Sequence, residues 1–191
     1  VKIVETKLPG VVVVEPDVMM DPRGFFVEAF SVRTYAELGL SALGTDGERI
    51  QQFNHSHSIR NTVRGLHFQE PSAQGKLVWV MSGSVFDVAV DVRRGSPTFG
   101  SWAGVELSAT NHRLMWIPKG FAHGYAVWSD AADVLYACTD LYAPRSQHAV
   151  RWNDPTIAID WGVGEPLLSE RDSRAPLLKD APVLPAFEAQ P

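Results

Sequence analysis

The chain has one cysteine, Cys138, in 191 residues. An intrachain disulfide is therefore excluded, and no CxxC pair or Cys/His spacing suggests structural zinc. A lone thiol fits a reducing compartment, so the cytoplasm is the expected setting. An excess of basic charge is also missing. The net charge of −5 argues against a general nucleic-acid binder, although local arginines and lysines can still hold a phosphorylated small molecule. No apolar stretch approaches the length of a membrane-spanning helix. The opening Val1-Lys2-Ile3-Val4-Glu5 lacks the apolar run of a signal peptide. A nicotinamide fingerprint of the GxGxxG type is absent, so hydride transfer is not indicated. Internal repeats, low-complexity tracts and linkers are absent too. One domain across 1–191 is expected, with a core from about 11 to 180.

What is present is a succession of short β-type runs. They include Val11 to Glu15, Phe25 to Phe30, Thr62 to Gln69, Lys76 to Met81, Arg113 to Ile117 and Val134 to Tyr142. Val85 to Val92 alternates most clearly, with Phe86, Val88, Val90 and Val92 on one face and Asp87 and Asp91 on the other. Turn signals such as Ser82-Gly83, Arg94-Gly95-Ser96-Pro97 and Pro118-Lys119-Gly120 separate the runs. One helix is expected from an N-cap at Ser31 through Leu38 to Gly39. The pattern predicts a mostly β protein: an antiparallel jelly-roll barrel with a few short helices and a mouth able to hold one small ligand. The tail after Asp160 is expected to pack outside as loops and a short helix, with a mobile stretch from Pro182.

Chemistry-bearing residues fall on these runs. His67 lies between Leu66 and Phe68, so it points away from whichever side those two face. A lone strand histidine is more often structural than catalytic, but imidazole is the side chain best suited to take a proton near neutrality. Lys76 opens the strand Leu77-Val78-Trp79-Val80. It reads either as a solvated strand end or as a fixed positive charge beside an enolate or phosphate. Tyr136 and Tyr142 share parity, roughly 20 Å apart along a straight strand unless a bend near Asp140 shortens the gap. Gln52, Asn54, Ser56 and Ser58 form a polar row, with His55 and His57 on the opposite row. An HxH pair needs further ligands to hold a metal, and none is evident, so no metal site is expected. Arg64 and His67 differ in parity, and Gly65 between them could mark a bulge that brings both to one site.

Taken in order, the motifs resemble the dTDP-4-dehydrorhamnose 3,5-epimerase family from about Val11 to about Asp180. They are Asp21-Pro22-Arg23-Gly24-Phe25-Phe26-Val27-Glu28, Gln52-Phe53-Asn54-His55-Ser56, Arg64-Gly65-Leu66-His67, Gly83-Ser84-Val85-Phe86-Asp87-Val88 and Arg93-Arg94-Gly95-Ser96-Pro97-Thr98-Phe99-Gly100. Ile117-Pro118-Lys119-Gly120-Phe121-Ala122-His123-Gly124, Trp152-Asn153-Asp154-Pro155 and Leu168-Ser169-Glu170-Arg171-Asp172 complete the set. Each is weak alone; their order and spacing together are specific.

The resemblance implies a cofactor-free, cupin-like jelly-roll homodimer acting on dTDP-4-keto-6-deoxyglucose. By likeness, His67 is the base, held by Asp172. Lys76 stabilises the enolate oxygen, and Tyr136 returns a proton from the opposite face. His123 lies near the sugar or diphosphate, Arg64 and Arg171 contact the diphosphate, and Tyr142 stacks on thymine. Gln52 and Asn54 line the substrate site, while Arg23, Phe26 and Glu28 reach it from the partner subunit. Gln147 stands where many members carry a glutamate, and bears on the nucleotide pocket. Three other readings compete: a single-centre 3- or 5-epimerase, a non-catalytic nucleotide-sugar-binding jelly roll, and a metal-dependent cupin relying on His55 and His57.

Overall fold

The structure, a computed structural model, describes residues 1–40 and 49–187. Thirteen strands dominate it. In chain order they are β1 (Lys2–Glu5), β2 (Val12–Glu15), β3 (Val18–Asp21), β4 (Gly24–Val27), β5 (Gln52–Ile59), β6 (Val63–Gln69) and β7 (Lys76–Ser82). There follow β8 (Ser84–Asp91), β9 (Trp102–Ser108), β10 (Leu114–Ile117), β11 (Phe121–Val127), β12 (Ala131–Cys138) and β13 (Gln147–Ala149). Helix α1 (Val32–Glu37) follows β4, and α2 (Glu170–Ser173) follows β13. The strands form a six-stranded sheet ordered β1-β2-β10-β7-β12-β5, a five-stranded sheet ordered β13-β6-β11-β8-β9, and the separate hairpin β3-β4. Every pairing within the sheets is antiparallel. This is the mostly β, antiparallel jelly roll that the sequence pattern predicts, of the cupin-like kind that the family resemblance implies.

Alternation along the strands builds three apolar layers. Between the sheets lie Val78, Val80, Val85, Ala89, Leu107, Met115, Ile117, Phe121, Val127 and Val134. Outside the five-stranded sheet, Leu66, Phe68, Val88, Val90 and Ala122 pack against Val150, Ile157, Trp161 and Leu178 of the C-terminal segment. Outside the six-stranded sheet, Val12, Val14, Leu77, Leu114 and Trp116 are covered by Tyr35 of α1. The second and third layers explain why β8, β10 and β11 are buried along nearly their whole length: both of their faces are covered. Each fully buried Val, Leu or Phe contributes about 1.5–3 kcal/mol.

Helix α1 begins where expected: Ser31 Oγ accepts the Thr34 amide at 3.4 Å. Two strands are shorter than the sequence reading. The run Phe25 to Phe30 stops at Val27, and the run Val134 to Tyr142 stops at Cys138, so Tyr142 sits on the following loop. From Pro182 the chain lies along Arg94. The Arg94 amide donates to Pro185 O at 2.8 Å, the Phe187 amide donates to Arg94 O at 3.0 Å, and Leu184 packs on the outer layer. The remainder of the expected mobile tail, 188–191, lies outside the described residues. Among the described residues no helix is long and apolar enough to cross a membrane.

Candidate active site

The row of side chains between the sheets changes character along each strand. On β12 it runs from Ala132 and Val134 to Tyr136 and Cys138, and on β7 from Val80 and Val78 to Lys76. On β11 it runs from Val127 to Tyr125 and His123. One end of the sandwich is therefore filled with apolar groups, and the other opens into a polar cavity of about 360 Å³. Gln52 and Asn54 enter it from β5, Arg64 and His67 from β6, Lys76 from β7, His123 from β11 and Tyr136 from β12. Tyr142, on the loop after β12, and Gln147, at the start of β13, complete its rim. An adjoining hollow of about 310 Å³ shares Arg64, His67 and Gln147 and adds Arg171 and Asp172.

The opposite parity of Arg64 and His67 is resolved in β6. His123 pairs with His67 and Tyr125 with Arg64, so three steps on β6 match two on β11. The extra residue is a bulge, and it turns both side chains into the cavity. Only glycine suits it. Gly65 has φ +129, and a Cβ there would lie 2.6 Å from Gly124 Cα on the neighbouring strand.

His67 Nε2 meets Asp172 Oδ1 at 2.6 Å. Asp172 is supplied by α2, where Ser169 Oγ accepts the Asp172 amide at 3.1 Å. Burial acts to raise the Asp172 carboxyl. It is outweighed by the hydrogen bond and charge of His67 and by donors from Ser169 and the Gly65 amide, so its pKa lies below the ordinary value. An ionised Asp172 can only accept, so the bonded imidazole nitrogen carries a proton, and the other ring nitrogen is the one not engaged by Asp172. Lys76 Nζ donates to the His67 carbonyl at 3.4 Å. Burial lowers the Lys76 pKa, against the opposing pull of Cys138 and Asp87. Burial pushes the Tyr136 hydroxyl up to about 12, with Tyr125 and Cys138 adding to the rise and Arg64 opposing it.

His123 has its own carboxylate, with Nε2 at 2.9 Å from Asp87 Oδ2. Asp87 Oδ1 is buried with no hydrogen-bond partner among the described residues. A polar chain runs from the rim inward. The Tyr142 amide donates to Gln52 Oε1 at 2.8 Å, Gln52 Nε2 to Asn54 Oδ1 at 2.7 Å, and Asn54 Nδ2 to Cys138 Sγ at 3.4 Å. The sequence reading missed Asp87 as the partner of His123; its place on the polar face of β8 was the available signal, but the match needs strand register. Tyr125 was also missed. It lines the cavity, and its hydroxyl pairs with Ser56 Oγ of β5 at 2.8 Å.

Not every candidate converges on the cavity. Arg23, Phe26 and Glu28 belong to the β3-β4 hairpin and its exit. Arg23 is bonded to Asp21, Phe26 is 66% exposed, and Glu28 accepts from Thr34 Oγ1 at 2.8 Å. Within this chain the structure does not bring them to the other site residues. His55 and His57 project from the outer face of β5, where both contact Asp133 Oδ1, at 2.9 and 3.1 Å. Among the described residues no group of three or more His, Cys, Asp or Glu is arranged to hold a metal ion.

The model of the family described as dTDP-4-dehydrorhamnose 3,5-epimerase matches residues 5–180. The chain belongs to that family. A dTDP-4-dehydrorhamnose 3,5-epimerase of Pseudomonas aeruginosa is 50% identical over 179 residues, covering 93% of this chain and 96% of the relative. A dTDP-4-dehydrorhamnose 3-epimerase of Streptomyces niveus is 41% identical, over 94% of this chain and 86% of the relative. Among solved structures, the Legionella pneumophila dTDP-6-deoxy-D-glucose-3,5-epimerase in complex with dTDP-4-keto-L-rhamnose superposes with a TM-score of 0.92 at 48% identity. The match covers 98% of this chain and 99% of that one. In this family member the cavity brings together a histidine–aspartate pair, a buried lysine and a half-buried tyrosine.

Proposed function

We propose that the chain epimerises dTDP-4-keto-6-deoxy-D-glucose at C3 and C5 through an enolate, giving dTDP-4-keto-L-rhamnose. The observation that carries this reading is the His67–Asp172 pair, half-open to a cavity that also receives Lys76 and Tyr136. The C4 ketone acidifies the protons on C3 and C5, so the chemistry needs a base, an oxyanion partner and an acid. His67 takes the proton through its free ring nitrogen, and Asp172 stabilises the imidazolium. Lys76 offers its ammonium to the enolate oxygen inside a low-dielectric pocket, where a fixed charge acts strongly. Tyr136 is held protonated at neutral pH, its pKa being about 12, and returns a proton. It stands on the six-stranded sheet and His67 on the five-stranded one, so the two flank a bound sugar from opposite sheets. Inversion requires that disposition.

At the nucleotide end, Tyr142 stacks on thymine, and Arg64 and Arg171 contact the diphosphate. Gln52, Asn54, His123 and Gln147 line the substrate. Arg23, Phe26 and Glu28 act on the site of a partner subunit in a homodimer. In support of the dimer, Met19, Met20, Phe25 and Phe26 of the hairpin are exposed, as are Phe53, Ile59 and Met81 on β5 and β7. Strand β5 is also an open edge of its sheet. The lone buried thiol Cys138 fits a cytoplasmic setting.

The test is turnover of dTDP-4-keto-6-deoxyglucose in deuterated water with NMR mapping of the label. Deuterium at both C3 and C5 is the expected result. Label at one carbon indicates a single-centre epimerase, the activity named for the Streptomyces niveus relative. Absence of label with tight dTDP binding would replace the proposal with a binding module.

A further inference from the structure

Gln147 is one of three residues, with Arg64 and His67, that line both hollows of the site. Its amide oxygen accepts the Tyr142 hydroxyl at 2.8 Å and also Arg171 Nη1. Its main-chain carbonyl accepts Arg171 Nη2 at 3.1 Å. A guanidinium cannot accept a hydrogen bond, so the chemistry of the contacts fixes which end of the amide is the oxygen. Strand pairing of Gln147 with Gln69 anchors the backbone beneath this junction. One neutral side chain therefore ties an aromatic ring on the loop after β12 to a guanidinium on α2.

The charge count is the informative part. Arg171 is oriented by two oxygens of a single uncharged residue. Arg64 is likewise oriented by neutral acceptors, Ser58 Oγ at 2.9 Å and His57 O at 3.3 Å. Among the described residues neither guanidinium is paired with a carboxylate. Both are positioned, and neither has its charge offset. A carboxylate in place of the Gln147 amide would accept the same two donors while cancelling much of the Arg171 charge.

We propose that Gln147 is a specificity-determining residue: it locks the Tyr142 platform to Arg171 and, being neutral, reserves the full Arg171 charge for the diphosphate of the ligand. This rests on the reading of the ligand as a thymidine-diphosphate sugar. It predicts that residue 147 sets the preference for the diphosphate over the bare nucleoside.

The experiment compares wild type, Gln147→Glu and Gln147→Leu. Calorimetry reads dTDP binding at low and high salt, and NMR titration reads the weaker binding of thymidine. Gln147→Glu keeps an acceptor for both donors. It should weaken dTDP binding roughly tenfold at low salt, by the Coulomb term of one added charge near the ligand. The salt dependence of dTDP binding should flatten, and thymidine binding should change by less than about twofold. Gln147→Leu removes the acceptor and should weaken both ligands, because Tyr142 loses its tether. Gln147→Glu binding dTDP as wild type does at every salt concentration would overturn the proposal. So would an equal loss for dTDP and thymidine in that variant. Wild-type protein that fails to bind dTDP would instead overturn the reading of the ligand on which the proposal rests.

Discussion

His67 and His123 are register partners on adjacent strands and each is bonded to an aspartate, yet their surroundings differ. The His67 side chain is 27% exposed and opens to the cavity, over an Asp172 that is 4% exposed. The His123 side chain is 7% exposed and Asp87 is completely enclosed. Asp172 arrives from a helix 105 residues further along the chain and is satisfied by its cap and by the Gly65 amide. Asp87 comes from the neighbouring strand, and one of its oxygens is buried without a hydrogen-bond partner among the described residues. A proton that must leave and return needs access and a well-held carboxylate behind the ring, and the first pair offers both. The second pair is more enclosed, and Asp87 Oδ1 has no hydrogen-bond partner among the described residues. In the proposed mechanism proton transfer therefore belongs to the open pair, and the closed pair supplies a fixed local field.

The largest test of that division is His67→Asn. Losing the proposed base should lower deuterium exchange by roughly 10²–10⁴-fold. Exchange at the wild-type rate would end the assignment. Asp172→Asn should come next, with a loss of about 10²-fold, because the ring loses its orienting acceptor and the stabiliser of its charged form. It also carries a pH signature. The Asp172 pKa is lowered in the folded state, so its stabilisation is present above the unfolded carboxyl value of about 3.9 and is lost as pH falls through the lower folded value. The gap in Tm between wild type and Asp172→Asn should therefore narrow from neutral pH into strong acid. A gap that stays constant over that range would show that the ionised form of Asp172 is not what stabilises the fold.

The two pairs also differ in how far the sequence discloses them. Period-two alternation made the faces of β5 and β8 readable: Gln52 and Asn54 do face inward, His55 and His57 outward, and Asp87 opposes Phe86 and Val88. The convergence of Arg64 and His67 was legible only as a question, because a bulge depends on how β6 is paired with β11. Strand length was overread at Tyr142: the pairing ends at Cys138, and Asp140 Oδ1 beyond it accepts the Leu141 amide at 2.7 Å. Asp172 was reached through family resemblance, since a contact spanning 105 residues leaves no local pattern. The Asp87–His123 contact was not reached at all. Both residues sit in strands that read as core, and only the register of β8 against β11 sets them together. The hairpin residues Arg23, Phe26 and Glu28 mark a different limit, since their proposed site lies on another copy of the chain.

The smallest and most discriminating effect is expected at the closed pair. Asp87→Asn keeps an oxygen for His123 and removes only the charge. Turnover should fall by about tenfold or less, well short of the loss at His67, because the proposed proton transfer runs through His67. The informative readout is the alkaline side of the pH profile. Burial lowers the Lys76 pKa, and the negative charge of Asp87 is one of the influences that pull it back up. Without that charge the ammonium should be lost at lower pH, so the alkaline limb of kcat/KM should move downward in Asp87→Asn and stay in place in Asp172→Asn. The sign is fixed: a cation loses its proton more easily once a nearby anion is removed. An alkaline limb that stays at the wild-type position in Asp87→Asn would mean that the enclosed carboxylate does not act on Lys76, and that the closed pair serves packing alone.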